Sequence, residues 1–352
     1  LPQKEAMRHL ACVMLLGLVV GCGSDAGGPD PEASNRTLRQ PPLAPGDTVD
    51  DPSSPGSSQA GIGAPYPIVF MHGMGGFGKL KLGPIGVTYF DGVVEDLTQR
   101  GEQVFVTVVP PYDTSEERAK DLAKQIDVIL ARTGKAKVNL VGHSQGGMDA
   151  RVIASPAGLA YGDRIASVTT IATPHRGSRV ADGVLGLIKD VPTNIIDDIT
   201  GAVLDLVEKT AYELDSDPHL RAQLEELSEA YMASTFNPKY VDDPRIAYAS
   251  YAGRTNNRSG TGVCDDGELA NDPKSLDSPQ VALAVTASFL EEGKAKVNDG
   301  LVTVDSAKWG MFMQCVPADH LKEVGQLGPS AASFDHLAFF RLVVERIRAA
   351  GY

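Results

Sequence analysis

The stretch Lys137-Val138-Asn139-Leu140-Val141-Gly142-His143-Ser144-Gln145-Gly146-Gly147 decides how the rest of this chain is read. Val138 to Val141 is a strand-like apolar run, Gly142 to Gly146 is a Gly-x-Ser-x-Gly turn, and the helix-like stretch Met148 to Ala154 follows. Alone, the pentapeptide carries little weight: in a chain with 37 Gly it arises by chance about 0.2 to 0.3 times. The context decides. A buried strand entering and a helix leaving is the arrangement a nucleophile elbow requires, with glycines two before and two after the serine so that the backbone can cross itself and push Oγ out. The helix that follows aims its first amides at the same point and favours negative charge there. Ser144 is therefore the candidate nucleophile, with an ordinary glycine-rich turn as the alternative.

Outward from this point, apolar runs alternate with amphipathic ones. Pro67 to Met71 reads as a strand leading into the glycine-rich turn His72-Gly73-Met74-Gly75-Gly76-Phe77-Gly78, followed by a helical segment from Phe90 to Gln99 and a β-branched strand from Val104 to Val109. In Ser115 to Ala131 the apolar positions Ala119, Leu122, Ile126 and Ile129 recur at spacings of three and four, which predicts a helix laid on a sheet. Ile165 to Ala172 and Ile246 to Tyr251 read as further strands. Strands alternating with helices predict a mostly parallel sheet covered on both faces, within one α/β domain over residues 65–352.

A serine hydroxyl needs a base, and the base needs a carboxylate to orient it. Of the seven histidines, His9 lies in an N-terminal leader, His72 and His143 sit in the turns around the site, His175 precedes any candidate acid, and His219 falls in a surface stretch. His320 and His336 remain. Val297 to Val302 reads as a strand end carrying Asp299, and His320 follows it, so that Ser144, Asp299, His320 come in the order of an α/β-hydrolase. His336 opens an amphipathic terminal helix and is the second candidate. An oxyanion needs two amides: Gln145, directly after the serine, offers one and Met74 in the first glycine turn the other. That turn has neither the Gly-Lys-Ser/Thr nor the Rossmann spacing of a phosphate loop.

Charge and composition bound the remaining possibilities. With 32 Lys+Arg against 45 Asp+Glu, a net charge of −13 and a pI near 5.0, the surface repels phosphate backbones, so no nucleic-acid partner is expected. Arg8 precedes the apolar run Leu10 to Gly21, whose 12 residues are too few to span roughly 30 Å of hydrocarbon. The run ends in Val19-Val20-Gly21-Cys22, the pattern of a bacterial lipoprotein signal over residues 1–22, with Met7 a natural start, Cys22 the lipidated residue and membrane anchoring the result. An ordinary secretory signal is the alternative. Residues 23–64, rich in Gly, Pro and Ser, read as a disordered tether. In an oxidising compartment Cys264 and Cys315 are the pair left to form a disulfide, with two buried thiols as the alternative.

Several stretches together resemble the bacterial family-I true lipases: Tyr66 to Gly73, Tyr89-Phe90-Asp91-Gly92-Val93, Lys137 to Gly147, Ser167 to Ser178, Asn298 to Val302 and Asp319-His320-Leu321. The resemblance implies an α/β-hydrolase fold with a helical lid or cap at about 180–235. It implies hydrolysis of triacylglycerol at an oil–water interface by Ser144, Asp299 and His320, with Met74 and Gln145 as oxyanion donors and no cofactor in the chemistry. A carboxylesterase or phospholipase using the same triad is the alternative. The family also holds a structural calcium beside the catalytic histidine. Asp277 stands at its first ligand position, but the second is Lys322, whose ammonium cannot ligate a cation. Either Lys322 pairs with Asp277 in place of the ion, or Glu323 turns inward and retains it. The chain is a divergent, lipoprotein-anchored member by these departures, and its need for a folding helper stays open. Between Val184 and Val207, apolar residues interspersed with acids form an amphipathic segment, which the resemblance makes a mobile lid and which could equally be a docked cap helix.

Overall fold

The structure, a computed structural model, describes residues 63–77, 79–82, 85–187, 192–206, 216–255, 281–291, 296–326 and 334–352, with backbone only at 79–82, 85–87, 205–206 and 281–282. The leader, Cys22, the tether up to residue 62, Cys264 and Asp277 lie outside them. Six strands form one parallel sheet in the order β4 (Val104–Thr107), β1 (Ile68–Met71), β5 (Val138–His143), β6 (Ile165–Ile171), β7 (Ala247–Gly253), β8 (Met311–Val316). A separate antiparallel pair, β2 (Lys79–Leu82) and β3 (Ile85–Thr88), follows the first glycine turn.

Both faces of the sheet are covered, which is why every residue along β1, β5 and β6 is buried rather than every second one. Along β1, Val69 and Met71 join a core with α2 (Ser115–Thr133) and α3 (Gln145–Ala154). Ile68 and Phe70 point the other way, into a core with α1 (Val93–Gln99) and α8 (His336–Ala349). The predicted stripe Ala119, Leu122, Ile126 and Ile129 of α2 is buried as expected.

Between β6 and β7 come α4 (Arg179–Val184), α5 (Thr193–Leu206) and α6 (Pro218–Glu226), and between β7 and β8 comes α7 (Val281–Leu290). In α5 the buried residues Ile199, Val203 and Leu204 form a stripe at spacings of four and one, and α5 packs on α4 and α7. The described part of the amphipathic segment is thus a helix with its apolar stripe turned inward. Among the described residues no helix is long and apolar enough to cross a membrane.

Three elements differ from expectation. The hairpin β2–β3 and the strand β8 had no strong periodicity to announce them. Asp299 sits in a turn, not at a strand end: Asn298 makes only an isolated bridge to Thr303. Cys315 is disulfide-bonded, and its partner lies outside the described residues.

Candidate active site

β5 delivers the chain to Ser144 and α3 begins at the next residue. Ser144 has φ 56° and ψ −131°, a conformation that side chains avoid at a cost of about 1–3 kcal/mol and that surrounding structure must impose. The imposing contact is close: a Cβ at Gly146 would stand 2.3 Å from the Met71 carbonyl oxygen, so only glycine lets α3 approach the end of β1. Thr173 Oγ1 donates to the Ser144 carbonyl at 2.7 Å and ties the elbow to the loop after β6.

The glycine turn at 72–77 leans on the same serine. A Cβ at Gly73 would stand 2.6 Å from Ser144 Cβ and 3.1 Å from its Oγ. Buried Arg118, from α2, donates through Nη2 to the His72 carbonyl at 2.6 Å and through Nη1 to the Gly73 carbonyl at 3.3 Å. His72 Nε2 accepts from Val109 N at 3.2 Å, which puts its proton on Nδ1, where it donates to the Gly73 carbonyl at 2.9 Å. Burial and the adjacent Arg118 hold the His72 pKa down at about 3, in keeping with that neutral ring. The Gly73 carbonyl and the Met74 amide belong to one planar peptide, so fixing the first directs the second the opposite way. Neither Met74 N nor Gln145 N has a hydrogen-bond partner among the described residues.

Arg118 is in turn held by Asp149 of α3, whose Oδ2 accepts from Nε at 2.9 Å and from Nη2 at 2.8 Å, with both side chains fully buried. From α6, Gln223 Nε2 donates to Gln145 Oε1 at 2.6 Å, and Glu226 Oε2 accepts from Ser115 N at 2.7 Å. Burial pushes Asp149 up to about 6 and Glu226 up to about 7, outweighing the pull of Arg118.

Asp299 Oδ1 accepts from the amides of Leu301 and Val302 at 2.8 and 2.7 Å, and its Oδ2 accepts from His320 Nδ1 at 2.8 Å. The His320 amide also donates to the Asp299 carbonyl at 2.9 Å. Nε2 of His320 is then the atom left to act as a base. The structure brings His320 to the elbow through His143, the residue before Ser144, whose ring lies 4.6 Å from that of His320. No hydrogen bond joins Ser144 Oγ to His320 among the described residues; such links are commonly long without substrate and shorten around it. His336, the second candidate base, is elsewhere: it starts α8, and its Nε2 lies 2.7 Å from the Asp91 carbonyl.

Of the residues named for a calcium ion, Asp277 lies outside the described ones. Lys322 Nζ lies 3.6 Å from Asp319 Oδ2, so a cation already faces this carboxylate. Glu323 has turned inward, yet its Oε2 meets His143 Nε2 at 3.1 Å. Sequence reasoning had not singled out Arg118, Asp149, Tyr89 or Glu226. For Arg118 a signal existed: it falls on the stripe of Leu122, Ile126 and Ile129, where a cation has no place unless it is bonded.

A parallel sheet with a serine on a strained strand-to-helix turn, two partnerless amides and a histidine–carboxylate pair defines an α/β hydrolase. Residues 66–200 match the α/β hydrolase fold family. The chain is 32% identical over 294 residues to a triacylglycerol lipase of Vibrio cholerae, covering 81% of this chain and 88% of that one. It is 29% identical over 320 residues to a triacylglycerol lipase of Pseudarthrobacter phenanthrenivorans, covering 81% and 97%. Among solved structures, Staphylococcus hyicus lipase shares the fold at a TM-score of 0.55 and 17% identity, over 86% of this chain and all of that one. Bacillus licheniformis lipase BlEst2 does so at 0.52 and 20%, over 79% and 91%. The chain belongs to the triacylglycerol lipases, hydrolases of lipid esters.

Proposed function

We propose that this lipase cleaves triacylglycerol to fatty acid and diacylglycerol through an acyl-enzyme on Ser144. His320 Nε2 takes the Ser144 proton as Oγ attacks the ester carbonyl, while Asp299 holds the ring and stabilises its cation. The amides of Met74 and Gln145 receive the charge that develops on the carbonyl oxygen, each contributing about 10²–10³ in rate. The His320 ring then protonates the departing alcohol, and water repeats the cycle on the acyl-enzyme. The observation that carries this reading is the 2.8 Å bond between His320 Nδ1 and Asp299 Oδ2, with the His320 ring 4.6 Å from that of His143, the residue before the strained Ser144. Ser144→Ala should abolish ester turnover and labelling by a fluorophosphonate while leaving the melting temperature within a few degrees. Turnover by that variant would sink the assignment.

The substrate is a lipid ester, presented at an oil–water interface. The apolar stripe of α5 supports a lid that lifts there, since a helix docked through such a stripe can exchange that contact for an oil surface. A series of defined esters of increasing chain length, in solution and in emulsion, separates this lipase reading from an esterase acting on short soluble substrates. Export, with Cys22 as the lipidated anchor, completes the proposal; mass spectrometry of the membrane-bound protein would find a diacylglyceryl group on Cys22 or reject it.

A further inference from the structure

Three buried side chains link the two halves of the site, and the mechanism above uses none of them. Tyr89 Oη accepts from the Gly73 amide at 3.2 Å and shares a hydrogen bond of 2.7 Å with His143 Nδ1. His143 Nε2 shares the next one, of 3.1 Å, with Glu323 Oε2. Gly73 precedes the proposed oxyanion donor Met74, and Glu323 lies on the short turn Lys322–Val324 that follows His320. All three side chains are buried, with Glu323 at 0% exposure and His143 at 1%. The middle member touches both reacting groups: its ring lies against His320, and Ser144 is its chain neighbour. The polar atoms of His143, His320 and Glu323 fall within 4.8 Å of one another.

We propose that Tyr89, His143 and Glu323 form a positioning chain, which sets the oxyanion turn and the His320 ring as one hydrogen-bonded unit. The physical reason is the direction of its bonds. Arg118 and His72 hold the carbonyl of Gly73, while Tyr89 holds its amide, so the residue is fixed at both ends and the following N–H has one direction. At the other end, the bond to Glu323 keeps the His143 ring upright against His320, which restricts the tilt of the base. Burial pulls the His143 pKa well below its ordinary value, so the ring stays neutral and does not compete with His320 for the serine proton. The members are positioning residues; none touches substrate.

The inference rests on the reading of Ser144 and His320 given above, and the experiment separates the two. Tyr89→Phe removes one hydroxyl, leaving both the Gly73 amide and His143 Nδ1 without that partner. With a soluble short-chain ester, kcat is expected to fall about 10- to 100-fold while KM stays within about twofold, because the loss is confined to the transition state. The affinity of an arylboronic acid, which mimics the tetrahedral state, should fall by the same factor. Glu323→Ala should behave alike, and Glu323→Gln, which still bonds His143, should regain at least about fivefold over Glu323→Ala. If Tyr89→Phe does not fold, the Glu323 pair carries the test alone. Tyr89→Phe at more than half of the parent kcat, a kcat loss with boronate affinity unchanged, or Glu323→Gln no better than Glu323→Ala overturns the chain. Activity in Ser144→Ala would overturn the underlying site instead.

Discussion

The glycine turn at 72–77 and the docked helix α5 are held by opposite kinds of force. The turn is tied by Arg118, His72 and Tyr89 through directed bonds to its backbone, and Arg118 is anchored by a buried carboxylate. Helix α5 rests on Ile199, Val203 and Leu204 against α4 and α7. Directed bonds specify an orientation and resist displacement, since a buried charge or amide that loses its partner is costly. Apolar contact is non-directional and can be exchanged for another apolar surface at little cost. The proposed oxyanion donor, which would have to meet its ligand at a fixed angle, calls for the first kind of support; the proposed lid, which would meet oil, calls for the second.

The comparison breaks most readily at Arg118. Arg118→Ala should cost about 3–5 kcal/mol in urea unfolding, because Asp149 is left as an uncompensated buried charge. Adding Asp149→Asn should recover part of that loss. If the single change costs under about 1 kcal/mol, the turn is not held as described.

Next is the effect of pH on the same polar region. Glu226 has a folded-state pKa of about 7, above an unfolded value of about 4.3. The stability tied to its protonated form is fully present below that unfolded value and is lost as the pH rises through about 7. Glu226→Gln keeps an acceptor for Ser115 N and removes the ionisation. It should stabilise the protein by up to about 3 kcal/mol at pH 8 and by nothing near pH 4, as read from unfolding curves at the two pH values. An equal effect at both would contradict the burial argument.

On the apolar side, Val203→Asn should loosen α5 without disturbing the sheet. Hydrolysis of an emulsified long-chain ester is expected to fall about severalfold, while a soluble short-chain ester stays within about twofold. Equal losses on both would mean α5 is a fixed part of the wall. The smallest effect expected is that of a chelator: with Lys322 facing Asp319, EDTA should leave activity and melting temperature unchanged, and a clear loss of both would restore a structural metal.

Much of this arrangement was legible along the chain. Val138 to Gly147 announces its elbow because strand, turn and helix chemistry coincide within a few residues. The stripe of α2 is equally local. Strand β8, Met311–Val316, was not legible because its residues carry little β-branched signal and become a strand by pairing with β7. Asp299 was found by order, but its turn was misread, since the amides of Leu301 and Val302 that fold back on its carboxylate leave no periodicity.

The amino-acid order by itself determined the parallel α/β architecture, the strained serine and the identity of the histidine and carboxylate candidates, because each depends on neighbours within a few residues or on the succession of motifs. Only the tertiary structure decided that Arg118 pins the glycine turn, that Tyr89, His143 and Glu323 meet, and that the His320 ring lies against His143, the residue before Ser144, while His336 bonds the Asp91 carbonyl. Those contacts join residues up to 245 positions apart. They exist because the sheet brings the ends of its strands to one edge, where distance along the chain no longer matters.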